Sequence, residues 1–480
     1  MDSDKASTHP CLPRTRSELD MTNAMSLSNF FPNATIFTIG IDEFVPVPMS
    51  LSTPKGDIFE RIPTLLSAPL PNASVFPIEI YERILECVIE CNVEDVFMWK
   101  HTLKACSLVC RAWSLKSILL RGRVLRFSKG DVRSLYGVRL LLKSTPQLAL
   151  AVEEVRIRPE SWDDPKIYSA TMELFPSVLG IHLPRLHTLM FRMSRRHHLL
   201  YHRFFHSTNI RVPSITSLEL NNVWLWDTSD LDYLLRPYPN VARLALHQVL
   251  WLEPRFRVPE WLPQPPRVKR GSKWLPEPPK VIPPVTELYV LYSGCDDEYY
   301  VHPNNRVGLR MLLQAFSTKL QKLVLNMGVV RMLGTEGIGE LISLGTLETL
   351  HLELWESLTL SKALDYDKII AAIPRLLLRL DSPSLRTIYL QFDIAKVHES
   401  PETFLDHIKS ISYALEDMVF ASHFPCLETI TLDVGTAEES IELWITDFRE
   451  AFPRLASKDV LHVVQPAHRI EYYHRYGNYY

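Results

Sequence analysis

Leu347-Glu348-Thr349-Leu350-His351-Leu352 carries the phrase that decides the fold: an apolar residue, two variable ones, a second apolar residue, one variable, and a third. The last two apolar positions are two apart, the period of a strand that buries one face. The first stands where a bend would feed that strand. The phrase also occurs at Val152, Val155 and Ile157; Leu186, Leu189 and Phe191; Ile215, Leu218 and Leu220; and Val241, Leu244 and Leu246. It returns at Val285, Leu288 and Val290; Leu320, Leu323 and Leu325; Leu385, Ile388 and Leu390; and Leu427, Ile430 and Leu432. So many copies mean a repeat. A proline often stands two residues ahead, at Pro184, Pro213, Pro239, Pro283, Pro383 and Pro425, and marks a stop before the strand.

Stretches between copies, such as Asp131 to Lys143 and Leu364 to Ile373, have helix-like apolar spacing, so each unit reads as a strand plus a helix. Copies beginning at Leu186, Ile215, Val241 and Val285 are spaced by 29, 26 and 44 residues. This unevenness resembles degenerate leucine-rich repeats, although the asparagine usual after the third apolar position is not regular. The expected fold class is α/β: a short all-α module, then an irregular leucine-rich-repeat solenoid with a parallel sheet.

Residues flanking the second and third apolar positions should point to the sheet's open face, the usual binding surface of such solenoids. That face begins with Arg156, Arg158, Met190, Arg192, Glu219, Asn221, Arg243, His247 and Tyr289, and ends with His351, Glu353, Tyr389, Gln391, Thr431 and Asp433. Its early copies lean basic. Arg156, Arg158, Arg192, Asn221, Arg243, His247 and Tyr289 are therefore the candidate target-binding residues, for an acidic or phosphorylated segment of a protein target. Residues 254–284 interrupt the array with ten prolines and several Arg and Lys, which reads as a basic loop extruded from one repeat.

Upstream lies Phe76-Pro77-Ile78-Glu79-Ile80-Tyr81-Glu82-Arg83-Ile84-Leu85, followed by Leu103-Lys104-Ala105-Cys106-Ser107-Leu108-Val109-Cys110-Arg111-Ala112-Trp113. Ile80, Ile84, Cys87 and Cys91 share one helical face, and Leu103, Cys106, Cys110 and Trp113 share another. Pro77 suits a helix start. Two short helices with wide apolar stripes bury little surface alone and complete their core against another protein. These residues resemble the F-box, most specifically at Leu108 to Trp113, with Glu90 to His101 as the link between its helices. The resemblance implies binding to the Skp-family adaptor of cullin-RING ubiquitin ligases. It assigns Pro77, Ile80, Ile84, Leu103, Cys106, Val109, Cys110 and Trp113 to the adaptor surface. A cap on the first repeat is the alternative role of the module.

The 480 residues allow a small module and one large repeat domain. The expected division is a mostly disordered leader at 1–73, the helical module at 74–120, the array at 121–465 with its insertion at 254–284, and a tail at 466–480. A formal net charge of -3 gives no electrostatic footprint for nucleic acid or an anionic membrane. No segment has the length and apolarity of a signal peptide core or a membrane span. Seven cysteines, four of them within the expected helices, suit reduced thiols in the cytoplasm or nucleus.

Nothing in the sequence assembles chemistry. Cys87, Cys91, Cys106 and Cys110 could in number satisfy zinc, but they fall on apolar helix faces. His198, His202 and His206 share a helical spacing amid Arg195, Arg196 and Arg203, which would repel a cation. Gly334, Gly337 and Gly339 fail the dinucleotide spacing at Ile342. The expectation is a receptor without catalytic residues, metal or cofactor, which joins an adaptor and cullin to a protein substrate. The alternative is a repeat scaffold outside the ubiquitin system.

Overall fold

The computed structural model describes residues 78–90, 96–109, 111–127, 132–158, 165–192, 199–200, 210–225, 228–251, 283–292, 303–334, 341–354, 370–392, 401–421, 423–434 and 441–464. The leader at 1–73, the tail at 466–480 and all but the end of the proline-rich insertion lie outside them, as do His198, His202, His206 and the glycines at 337 and 339.

Three helices come first: α1 (Ile78–Glu90), α2 (Val96–Cys106) and α3 (Arg111–Gly122). The array follows with strands β1 (Val124–Phe127), β2 (Glu154–Ile157), β3 (Thr188–Arg192), β4 (Leu199–Leu200), β5 (Ser217–Asn221), β6 (Val223–Leu225), β7 (Arg243–His247) and β8 (Leu250–Trp251). It continues with β9 (Glu287–Leu291), β10 (Lys322–Asn326), β11 (Ile342–Ser343), β12 (Thr349–Glu353), β13 (Leu380–Asp381), β14 (Thr387–Phe392), β15 (Thr429–Val434) and β16 (Leu461–Val464). Helices α4 (Val132–Ser144), α5 (Pro146–Ala151), α6 (Pro165–Val178), α7 (Thr228–Leu235), α8 (Pro303–Phe316), α9 (Met327–Gly334), α10 (Ala372–Arg379), α11 (Pro401–Phe420), α12 (Ile441–Ala451) and α13 (Pro453–Ser457) lie between strands.

Eleven strands form one sheet in the order β1-β2-β3-β5-β7-β9-β10-β12-β14-β15-β16. Every pair is parallel, from β1 with β2 to β15 with β16. The fold is thus an irregular α/β solenoid, as the repeated phrase implies. Register explains why that phrase is so constant. Val155 pairs with Leu189, Leu189 with Leu218 and Leu218 with Leu244, and Leu323, Leu350, Ile388 and Ile430 continue the row further along. Phe191, Leu220, Leu246, Leu325, Leu352, Leu390 and Leu432 form a second row one alternation on, and both rows are buried. A register slip of one residue would expose both rows together.

The helices lie against these rows. Leu135, Val138 and Leu142 of α4, Leu309, Leu312 and Phe316 of α8, and Phe404, Ile408 and Leu415 of α11 recur at helical spacing and join the same continuous core. The helix expected over 131–143 is α4, one residue later. In the stretch expected to be helical over 364–373, the described helix starts only at Ala372.

The prolines before strands sit in tight turns. The amides of Leu186, Ile215, Val241, Leu385 and Leu427 donate to the carbonyls of Leu183, Val212, Tyr238, Ser382 and Phe424, so Pro184, Pro213, Pro239, Pro383 and Pro425 each hold the second turn position. Proline pre-sets the backbone there and loses no needed donor. Past the strand, Asn222 and Gln248 adopt φ of 57° and 53° and turn the chain from β5 into β6 and from β7 towards β8. After β10 the bend is held otherwise: Asn326 Oδ1 accepts from the Tyr292 amide at 3.0 Å, and its Nδ2 donates to the Tyr292 carbonyl at 2.8 Å.

Two strands of the sheet escape the sequence phrase. In β1, Leu125 and Phe127 face the core, but the preceding bend position holds Gly122; in β16, Leu461 follows Lys458 at that position. The bend can therefore lose its apolar side chain at β1 and β16, the edge strands of the described sheet.

Leu350 is fully buried. Leu350→Ala should lower stability by about 2–5 kcal/mol in urea unfolding, and Leu350→Asp by more, because a charge would be left unpaired in the core. An unchanged midpoint for either variant would contradict the parallel core.

Candidate docking surfaces

Helices α1, α2 and α3 close on a small core of Leu85, Leu103 and Leu120, with Val88, Cys106, Trp113 and Val124 packed beside it. Lys116 of α3 reaches Glu82 at 3.3 Å and Glu86 at 3.1 Å on α1. The two expected helices are three in the structure. The run from Leu103 to Trp113 is broken, because the amides of Ser107, Leu108 and Val109 return to the carbonyls of Leu103, Ala105 and Cys106 and close the end of α2. Ser107 Oγ also takes up the Lys104 carbonyl at 2.6 Å, competing with helix continuation.

This break redistributes the residues assigned to the adaptor surface. Ile80 and Ile84, one turn apart on α1, are each 45% exposed, while the turn holds Leu108 and Val109 at 84% and 65%. Leu103 belongs to the interior: it is fully buried between Leu85 and Leu120, so it binds the helices to one another. Cys106 and Trp113 are half-buried against that core, and burial pushes the Cys106 thiol pKa up. Pro77 and Cys110 lie outside the described residues, as does Cys91. Leu108 belongs to the F-box-like run but not to the residues that the resemblance assigns to the adaptor surface. Its exposure depends on the turn, which apolar spacing does not reveal.

The module is also joined to the array. Only Arg123 separates α3 from β1, and Lys100 Nζ of α2 donates to the Val124 carbonyl at 3.1 Å. Gly122 at the end of α3 faces Leu148 of α5, and a Cβ there would press on that side chain's terminal methyl.

The second surface is the sheet face opposite the core rows. Register places one row there through Arg126, Arg156, Met190, Glu219, Ala245, Tyr289, Val324, His351, Tyr389 and Thr431. All seven candidate target-binding residues are on this side. The expectation of an open face fails over the middle strands, however: Asn221, His247 and Tyr289 are buried, as are Glu219, Glu353 and Asp433. Ala245, Tyr289, Leu291 and Val324 form a second apolar cluster on this face. The remaining residues, Arg156, Arg158, Arg192 and Arg243, keep partial exposure.

Closely spaced strands explain the burial, because long side chains lie across their neighbours. The Arg243 guanidinium stands 4.5 Å over the Tyr289 ring and Lys322 Nζ 5.6 Å from it, while Tyr289 OH donates to Glu287 Oε2 at 3.1 Å. Further along, the His351 ring meets Tyr389 edge-on at 4.5 Å, and Tyr389 OH donates to Asp433 Oδ2 at 2.5 Å.

Charge is perturbed along this face. Burial, with Arg192 and Arg243 adding to it, lowers the His247 pKa from 6.5 to about 3, although Glu219 Oε1 is 3.8 Å from its Nε2. Burial and then Lys322 lower His351 to about 4. Burial raises Glu353 from 4.5 to about 8, against the opposing pull of Lys322. Among the described residues, no group of three His, Cys, Asp or Glu side chains is arranged to hold a metal, and no helix is long and apolar enough to cross a membrane.

Glu353 thus favours the folded state when protonated. Its contribution is complete below about pH 4.5 and is lost as pH rises through about 8, at up to about 1.4 kcal/mol per pH unit. Urea midpoints across that window should fall less steeply in Glu353→Gln than in wild type; equal slopes would contradict this protonation. His247 and His351 have the opposite sense, favouring the fold above about pH 6.5 and losing that contribution as pH falls through about 4 and 3.

No protein-family model matches the chain, and no curated protein matches it. Among solved structures it is similar to a chain in the crystal structure of the Rad7 and Elc1 complex in yeast, at 11% identity and a TM-score of 0.20, over 75% of this chain and 91% of that one. A likeness of that size carries no conclusion about fold or function.

Proposed function

We propose that the chain is a substrate-receptor subunit of a cullin-type ubiquitin ligase. Residues 74–120 act as an F-box-like module that docks a Skp-family adaptor, and the leucine-rich-repeat-like array at 121–465 captures a protein target. The observation that carries this reading is the set of exposed apolar side chains Ile80, Ile84, Leu108 and Val109 beside a sequence that resembles the F-box. A module with so small a core gains by covering these side chains with a partner. The role is positional. The receptor holds a target lysine near a ubiquitin-loaded enzyme and raises its effective concentration, with no covalent step of its own.

A second reading is favoured by the continuity of α3 with β1 and by the Lys100 bond to Val124: the helices cap the first repeat of an interaction scaffold outside the ubiquitin system. Leu108 and Val109 separate the two readings. Their exposure frees them from the internal core, so changing both to Asp should leave thermal unfolding near wild type while abolishing copurification with the adaptor. Wild-type copurification by the folded variant would remove the ubiquitin-ligase reading. Leu103→Ala is unsuitable for this test because it opens the module's own core.

A further inference from the structure

Helix α4 carries apolar side chains on its outer side as well as its inner one. Leu135, Val138 and Leu142 enter the core, whereas Tyr136 and Leu140, one turn apart on the opposite side, are each about half exposed. The helix packs against α6, and α6 leads into the short 3-10 turn Gly180–His182, where Ile181 is also about half exposed. His182 marks the meeting of turn and helix: burial first, then Arg139 and Lys143 of α4, lower its pKa. Single exposed apolar side chains are ordinary, but three along one seam mark a docking surface.

The cations of this seam are not neutralised. Residues 132–152 contain no Asp, Glu or His, only Arg133, Arg139 and Lys143. Among the described residues none of these three side chains forms an ion pair, and neither the buried Arg139 Nε nor the buried His182 Nε2 has a hydrogen-bond partner. The neighbouring cations differ, since Lys116 is held by Glu82 and Glu86 and Arg123 by Glu153. An occupant that is both apolar and acidic therefore gains twice.

The chain itself contains such a sequence. Ile39-Gly40-Ile41-Asp42-Glu43-Phe44-Val45-Pro46-Val47 lies within residues 17–54, which include four acids and no Lys, Arg or His. Other stretches suit the seam less well. The insertion at 254–284 is basic, and the tail at 466–480 sets Arg469 and Arg475 against Glu471 alone. The acidic run Asp296-Asp297-Glu298 follows β9, four strands along the sheet from β2. Residues 48–77 join Val47 to α1, and about thirty residues span at most about 100 Å. Gly122 of α3 faces Leu148 of α5, which follows α4 directly, so the seam is within that reach. A tethered segment has an effective concentration on the order of millimolar, so modest contacts suffice.

We propose that residues 39–47 dock in cis on the seam between α4 and the 180–182 turn, where they cover Tyr136, Leu140 and Ile181 and set Asp42 and Glu43 among the unpaired cations. While seated there, the segment closes this face to other partners. The inference is independent of the ubiquitin-ligase reading.

The test uses the full chain with photoreactive p-benzoylphenylalanine in place of Tyr136, which keeps an aromatic ring, followed by mass spectrometry of the crosslinked peptides. Crosslinks should fall on residues 39–47 and decline as salt rises. Asp42→Lys with Glu43→Lys should lower their yield about threefold, as should Arg133→Glu with Lys143→Glu, whose side chains are exposed and dispensable for the core. All four changes together should restore the yield. In an equal mixture of unlabelled and heavy-isotope-labelled chains, each crosslink should join peptides of one label only. Crosslinks of mixed label would place a second copy on the face and overturn the proposal. Absence of crosslinks to residues 39–47, or a yield indifferent to both charge reversals, would overturn it as well.

Discussion

Parallel pairing at a fixed register is the constraint on which the rest of this chain depends. Each strand places two residues in the core, and each must meet its counterparts on both neighbouring strands, as Leu350 meets Leu323 and Ile388. The rows tolerate leucine, isoleucine, valine and phenylalanine but no polar residue on either side of the chain's middle. Connections carry much less constraint. A proline turn, an asparagine side chain or a residue at positive φ each brings the chain into or out of a strand, and the intervening segments vary widely in length. Long connections add only slowly to the entropy of closure, so the spacing can be irregular while the sheet stays continuous.

The same register organises the opposite face. Ladder pairing brings Arg126 beside Arg156 at one end, Ala245 beside Tyr289 in the middle and His351 beside Tyr389 further along. In the middle these side chains cover each other, so Glu353 and His351 favour their neutral forms. The two ends of the face therefore differ in kind. The buried centre holds Glu353 and His351 in their neutral forms, while the first strands carry arginines, of which Arg156 pairs with Glu154.

The helical module divides its apolar residues between two tasks. Leu85, Leu103 and Leu120 hold three helices together, and the half-buried Val124 carries that core into the first strand of the array. Ile80, Ile84, Leu108 and Val109 remain outside. Substitutions in the first group act on folding, whereas those in the second leave the internal core intact.

Sequence alone determined the sheet, because a two-residue alternation recurring with an apolar bend is a local pattern that every repeat must satisfy. It missed β1 and β16, the edge strands of the described sheet, because their bends carry Gly122 and Lys458 in place of an apolar residue. It identified which face Arg156, Asn221, His247 and Tyr289 occupy, because alternation fixes the face. Whether they meet solvent was decided by tertiary structure: exposure depends on what neighbouring strands lay across them, through contacts between residues tens of positions apart. The turn at Ser107 to Val109 was hidden for a related reason. Leu103, Cys106, Cys110 and Trp113 satisfy the spacing of one continuous helix, and only the packing of α3 back against α1 and α2 separates the buried Leu103 from the exposed Val109.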